Sequence, residues 1–243
     1  SKKDDLDKEI LNAFKKMKVD TSKDLPWEGF LIKKDSEALA HEKDNLGADR
    51  FTYVIEEEDV YTSIDGKTYK NRNQYKIPVW TDVSAKLVMI FTSDAGKAFK
   101  IIRKIASDDK NNLTITPLKL EVDFMKWLEN VKDYQKSKLR EIIGTRATNL
   151  SSVDGITNSL SLTTTDILNK SPIFTHIKDK GNRAYLKGLF MINDFEIEAS
   201  FYTNCKISLS KKKASNMSMD EAKHSAKTIY DELKKWHSKW KSD

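Results

Sequence analysis

Apolar positions recur at helical spacing near both ends of the chain, and at strand spacing or in short runs between them. Leu6, Ile10, Phe14 and Met17 fall on one face, four, four and three residues apart, which predicts a helix over 4–18. Pro26 breaks that pattern, and 27–32 reads as a short strand. The acidic, polar stretch 35–49 reads as a loop with a helical turn. Two strands follow over 51–55 and 60–64. Asp65-Gly66 then suits a two-residue hairpin turn because both positions tolerate positive φ, with 68–71 as the returning strand. The segment 75–80 contains Pro78, so it reads as an edge strand or one interrupted there. The continuous apolar run 87–91 predicts the most buried strand of this half.

Thr92-Ser93-Asp94 offers capping side chains to a helix whose Ala95, Phe99, Ile102 and Ile105 form one stripe. Asn111-Asn112 ends it, and 113–118 reads as a strand. A second helix is predicted over 121–143, with Val122, Met125, Leu128, Leu139 and Ile142 apolar. Residues 144–171 are rich in Ser, Thr, Asn and Gly and read as a loop or domain boundary. Beyond them, 173–177 reads as a strand and Gly181-Asn182 as a turn. Strands 185–192 and 195–202 pair across Asn193-Asp194, and 205–209 is the last strand.

These elements predict an α+β fold: mainly antiparallel sheet, in one or more pieces, with flanking helices and a long C-terminal amphipathic helix. The organisation reads as an N-terminal α+β half (1–143), the Ser/Thr-rich boundary (144–171) and a β meander with the basic helix (172–243), or as one single domain overall. Both halves run from a strand meander into a capped helix, though no residue-level repeat supports a duplication.

The C-terminal helix is the most regular element. Ser218-Met219-Asp220-Glu221 has the form of a capping box. Ala222, Ala226, Ile229, Leu233, Trp236 and Trp240 then follow at alternating spacings of four and three, a heptad seam over nearly three repeats. Such a seam packs on its own domain in most proteins; otherwise it offers a partner helix a groove. Lys223, Lys227, Lys234, Lys235, Lys239 and Lys241 lie off the seam, and Lys211, Lys212 and Lys213 precede it.

Charge sharpens this picture. The 243 residues carry a net charge of +6. Residues 206–243 hold ten lysines against five acids, while the other 205 residues hold 33 basic and 32 acidic side chains. Nearly all the net positive charge therefore belongs to the C-terminal piece. Only six of the basic residues are arginine. That composition suits diffuse attraction to phosphate better than bidentate base readout. Apolar residues are 38% and charged residues 33%, polar for a globular chain but clustered enough for a core. Cys205 is the single cysteine, so no internal disulfide can form, which fits a reducing, cytoplasmic setting. No apolar run reaches the length of a membrane span, and no leader pattern opens the chain, so no membrane role is expected.

Catalytic patterns are weak. His41, His176, His224 and His237 do not form a metal-binding spacing, and neither a metal nor a cofactor is expected. The stretch 91–97 places a strand before a helix start with Gly96-Lys97, but lacks the glycine spacing of a phosphate-binding loop. Glu196 and Glu198 share one face of a strand, a pair that could hold Mg²⁺ for phosphodiester cleavage. The Asp65-Gly66-Lys67 that such a nuclease would want on a strand lies in a predicted turn. A solvated sheet face is the plainer reading of these acids.

Three functional expectations follow. The leading one is a non-enzymatic nucleic-acid-associated protein that binds the phosphate backbone through Lys206, Lys211–Lys213 and the lysines of the last helix, with Trp236, Trp240, Tyr185 and Tyr202 available for stacking. The alternative is a protein-interaction or self-assembly module docking on the 222–240 seam. The third is a divergent metal-dependent nuclease using Glu196 and Glu198.

Overall fold

The computed structural model describes residues 2–20, 22, 26–33, 38–43, 48–106, 115–116, 119–131, 137–150, 158–164, 168–178, 180–204, 206–211 and 217–243. The fold is α+β, built from two antiparallel sheets and five α-helices among the described residues. The chain divides into two compact units, Ser1–Thr116 and Pro117–Asp243. The 144–171 stretch expected as a boundary lies inside the second unit and carries strand residues of two elements.

In the first unit, α1 (Lys2–Lys16) and α2 (Ala95–Ala106) bury apolar faces in one core with a five-stranded sheet. The sheet runs β1 (Glu28–Phe30), β3 (Asp49–Thr62), β4 (Thr68–Asp82), β5 (Leu87–Ile90), and β2 (His41–Lys43) also pairs with β3. The core centres on four aromatic rings. Phe14 stacks on Phe30 at 4.1 Å, and Phe51 and Tyr53 meet them edge-on. Gly29, at φ 151°, lets β1 run against the end of α1; a Cβ there would sit 2.5 Å from the Met17 carbonyl oxygen. Asp94 caps α2, its Oδ1 accepting from the Gly96 and Lys97 amides.

Several expectations are corrected here. Residues 51–62 lie in one strand, not two, because Glu56 to Asp59 pair with polar partners on β4 and keep the ladder continuous, while 63–64 belong to the turn. The hairpin turn is longer than two residues: Ser63 accepts from the Gly66 amide and donates to Lys67, and Gly66 alone takes positive φ (81°). Pro78 does not interrupt β4. It lies where the pairing with β5 ends, and its carbonyl still accepts from the Phe91 amide. The 87–91 strand is a half-buried edge, and the buried strand of the unit is β3. In α2 the buried stripe is Ile101 and Ile105. The expected helix end at Asn111-Asn112 and most of the 113–118 strand fall outside the described residues.

Beyond Ile55 and Tyr75, β3 and β4 continue as a two-stranded arm to their turn. Seven residues a side make it about 20 Å long. Its charges pair across the strands, with Glu58 receiving both Lys70 and Arg72. Its end is apolar and exposed: Val60, Tyr61, Ile64 and Tyr69, with the two tyrosine rings stacked at 5.5 Å.

The second unit places α3 (Val122–Asn130), α4 (Pro172–Ile177), a 3-10 turn (Leu168–Lys170) and α5 (Met219–Ser242) around the core of a five-stranded sheet. Its strand order is β10 (Ile207–Lys211), β9 (Phe195–Tyr202), β8 (Asn182–Ile192), β6 (Leu139–Thr148), β7 (Ser159–Thr163). The expected β8–β9 hairpin forms with Asn193 and Asp194 both at positive φ (48° and 63°). That conformation matches the turn to the strand twist.

Two elements differ from expectation. The predicted 121–143 helix stops at Asn130, and Leu139 to Thr148 form β6, whose β-branched, centrally placed residues are buried between β7 and β8. The predicted strand at 173–177 is α4. Ser171 accepts from the Phe174 amide and Pro172 sits in the first turn, a helix start encoded locally.

Candidate nucleic-acid interface

The capping box forms as the sequence predicts. Ser218 Oγ accepts from the Glu221 amide at 3.2 Å, and Glu221 Oε2 accepts from the Ser218 amide at 2.9 Å. Helix α5 then packs its seam on the unit's own core. Ile229, Leu233 and Trp236 are buried, Trp240 is half-buried, and Ala222 and Ala226 are only partly covered. Trp236 donates its indole N–H to Ser137 Oγ, which in turn donates to Glu232 Oε2 at 2.5 Å. Phe124, Trp127 and His237 complete an aromatic cluster with the two tryptophans between α3 and α5. The stretch expected as a partner seam thus serves the fold.

The lysines of α5 divide. Lys223 is 3% exposed, so it cannot belong to the expected phosphate-binding set; Ser225 is buried with it, and the first turns of the helix are enclosed on more than the seam side. Burial, with Lys227 adding repulsion, lowers the Lys223 pKa from its ordinary value. Lys227 is half-buried and paired with Asp231 at 3.2 Å. Lys234, Lys235, Lys239 and Lys241 are exposed along the last two turns. Lys241 approaches Glu121 at 3.8 Å, and Lys235 lies 4.0 Å from Glu232. Lys239 and Lys241 lie over Trp236 and Trp240. Lys212, Lys213 and the side chain of Lys211 fall outside the described residues, as does Cys205.

The other candidate residues meet on the sheet face opposite the helices. Direct cross-strand pairing places Ser161, Arg146, Tyr185 and Tyr202 in one row over four strands. The chain entering β10 adds Lys206, whose carbonyl accepts from the Tyr202 amide and whose ammonium lies 5.4 Å from the Tyr202 ring. The tyrosine rings are 5.3 Å apart and tilted by 47°. Both are half-buried and Arg146 is exposed. The next row along the strands contains Gly144, Lys187 and Ser200. Glu141, Leu189 and Glu198 follow, then Met191 and Glu196.

Glu196 and Glu198 therefore share a face as expected, but Lys187 pairs with Glu198. Among the described residues no group of three or more His, Cys, Asp or Glu side chains is placed to hold a metal. Asp65 serves its turn, accepting from Ser63 Oγ and the Lys67 amide. Asp94 fills the amide slot at the start of α2. His176 is exposed in α4, His224 is half-exposed, and His237 lies 3.0 Å from Glu121 Oε2. The side chain of His41 is outside the described residues. Sequence reasoning misses Arg146 and Lys187. The pairing of β6 with β8 is the signal required, and the spacing of apolar residues reads β6 as helix and loop.

The chain matches no family model and no curated protein. Among the described residues no helix is long and apolar enough to cross a membrane.

Proposed function

We propose that this protein is a non-enzymatic nucleic-acid-binding protein that holds the phosphate backbone electrostatically. The supporting observation is the exposed group Lys234, Lys235, Lys239 and Lys241 at the end of α5, in the segment that carries nearly all the net positive charge. Lysine ammoniums on a rigid helix neutralise phosphates without reading bases. A cytoplasmic, reducing setting fits the single cysteine.

The reading through a partner helix on the 222–240 seam is less well supported, because Ile229, Leu233 and Trp236 sit in the core. For the same reason, removing the helix would unfold the unit and would not test binding. Charge neutralisation does test it. Lys234, Lys235, Lys239 and Lys241 all replaced by Gln should leave the fold intact and weaken binding to DNA or RNA at low salt. The slope of log affinity against log salt should become shallower by roughly 0.7–0.9 for each phosphate no longer neutralised. A quadruple variant with wild-type affinity and salt slope would rule the proposal out.

A further inference from the structure

We infer that the row Arg146–Tyr185–Tyr202–Lys206 is a stacking platform for single-stranded nucleic acid, on which two successive bases lie against the tyrosines while the flanking cations take the phosphates. The inference rests on the nucleic-acid reading above and adds the class of ligand and a second surface.

Three observations carry it. The tyrosines occupy adjacent strands and share a face, directly paired in register. Strand spacing sets them about 5 Å apart, within the reach of neighbouring nucleotides of one strand. A cation stands on either side of the pair, Arg146 beyond Tyr185 and Lys206 beyond Tyr202. Charge also separates along the strands. Arg146 and Lys206 flank the tyrosines in the first row, Lys187 in the second is paired with Glu198, and Glu141, Glu198 and Glu196 occupy the next two. A tyrosine pair present only to stabilise the sheet needs no cation on either side. Phosphate is attracted to the tyrosine row and repelled from the acidic rows, which confines the strand to the tyrosine end of the face. A duplex keeps its base faces stacked inside the helix and cannot use the rings. When a base takes the Tyr202 ring, Lys206 moves from the ring to the phosphate; its flexible stem permits that.

The test uses the full chain and fluorescence anisotropy with four labelled probes: short oligothymidylate, short oligouridylate, a mixed-sequence duplex of equal length, and an abasic strand. The wild type should bind a base-bearing single strand more tightly than the duplex or the abasic strand. Tyr185→Ala and Tyr202→Ala should each weaken single-strand binding about ten- to a hundredfold and leave duplex binding unchanged. Tyr→Phe at either position should retain the affinity, because the ring stacks and the hydroxyl does not. The two homopolymers separate DNA from RNA; preference for either supports the platform. If the Ala variants bind single strands like the wild type, the platform is refuted while binding through the C-terminal lysines stands. If no probe binds the wild type at low salt, both fail. Circular dichroism melts of the variants separate impaired binding from impaired folding.

Discussion

Arg183 Nε donates to Glu129 Oε1 at 2.7 Å, and neither side chain has any exposed surface. The rest of the guanidinium donates to the carbonyls of Ile177, Lys178 and Lys180, where α4 ends and the chain turns toward β8. Arg183 thus fastens the end of α4, the start of β8 and helix α3 together. Removing one member of a buried, hydrogen-bonded pair costs about 3–5 kcal/mol, because the other is left as an uncompensated charge. Arg183→Leu should fall in that range by urea denaturation, since three carbonyls lose their donor as well. Glu129→Gln should cost less, because an amide oxygen still accepts from Nε. Equal costs would mean that the uncompensated guanidinium left by Glu129→Gln weighs as much as the lost carbonyl hydrogen bonds.

The same pair gives a pH dependence with a definite sign. Burial pushes the Glu129 carboxyl above its ordinary value, and the neighbouring Arg183 guanidinium offsets this only in part. The folded chain therefore keeps a proton on Glu129 at pH values where the unfolded chain has released it. Through that window, which opens near the ordinary glutamate value and extends upward, the group's contribution to stability falls as pH rises. The wild type should lose stability relative to Glu129→Gln on going from pH 4 toward neutrality. A difference that stays flat, or grows in the wild type's favour, would show that Arg183 outweighs burial.

The sequence makes some of this architecture legible and hides the rest for physical reasons. The capping box at Ser218, the α5 seam and the Asn193-Asp194 hairpin are local, so spacing and turn chemistry suffice. β6 is hidden because Leu139 and Ile142 fit helical spacing, and its bulges and uneven burial break the alternation that marks a strand. The 173–177 segment is apolar enough for a strand, yet Ser171-Pro172 carries the decisive helix-start signal. The tyrosine row is half legible. Tyr185 and Tyr202 can be named as stacking candidates, but their alignment with Arg146 depends on which strands become neighbours. Lys223 shows the reverse failure, a lysine off the apolar seam that is nonetheless buried.

The placement of Leu233 separates fold from partner docking. It is 2% exposed in the core of the second unit, while its neighbour Lys234 is exposed. Leu233→Asp puts an unpaired carboxylate into that core and should destabilise the unit by more than the about 2–5 kcal/mol of a leucine truncation. Lys234→Asp should leave the melting temperature nearly unchanged and weaken nucleic-acid binding. If Leu233→Asp melted like the wild type while changing the mass seen by light scattering, the seam would have to be an exposed docking surface.

The arm formed by β3 and β4 should be separable from the stability of its unit. None of residues 58–72 belongs to the buried core, which ends on this side at Ile55. Glu57 and Asn73 are directly paired, so an Asn-Gly turn can join them in place of 58–72. Glu57 remains to hold Lys97 at 3.2 Å, and Lys97 keeps its place 4.0 Å from the Tyr75 ring centre. The shortened chain should melt within about 4 °C of the wild type, equivalent to under ~1 kcal/mol for a unit of this size. Phe30→Ala, which empties the aromatic centre, should cost about 3–5 kcal/mol. The shortened chain should also aggregate less in concentrated solution, because it lacks Val60, Tyr61, Ile64 and Tyr69 at the exposed end. A loss of stability comparable to Phe30→Ala would mean that the arm is part of the cooperative core, and its exposed apolar end would then need a structural explanation.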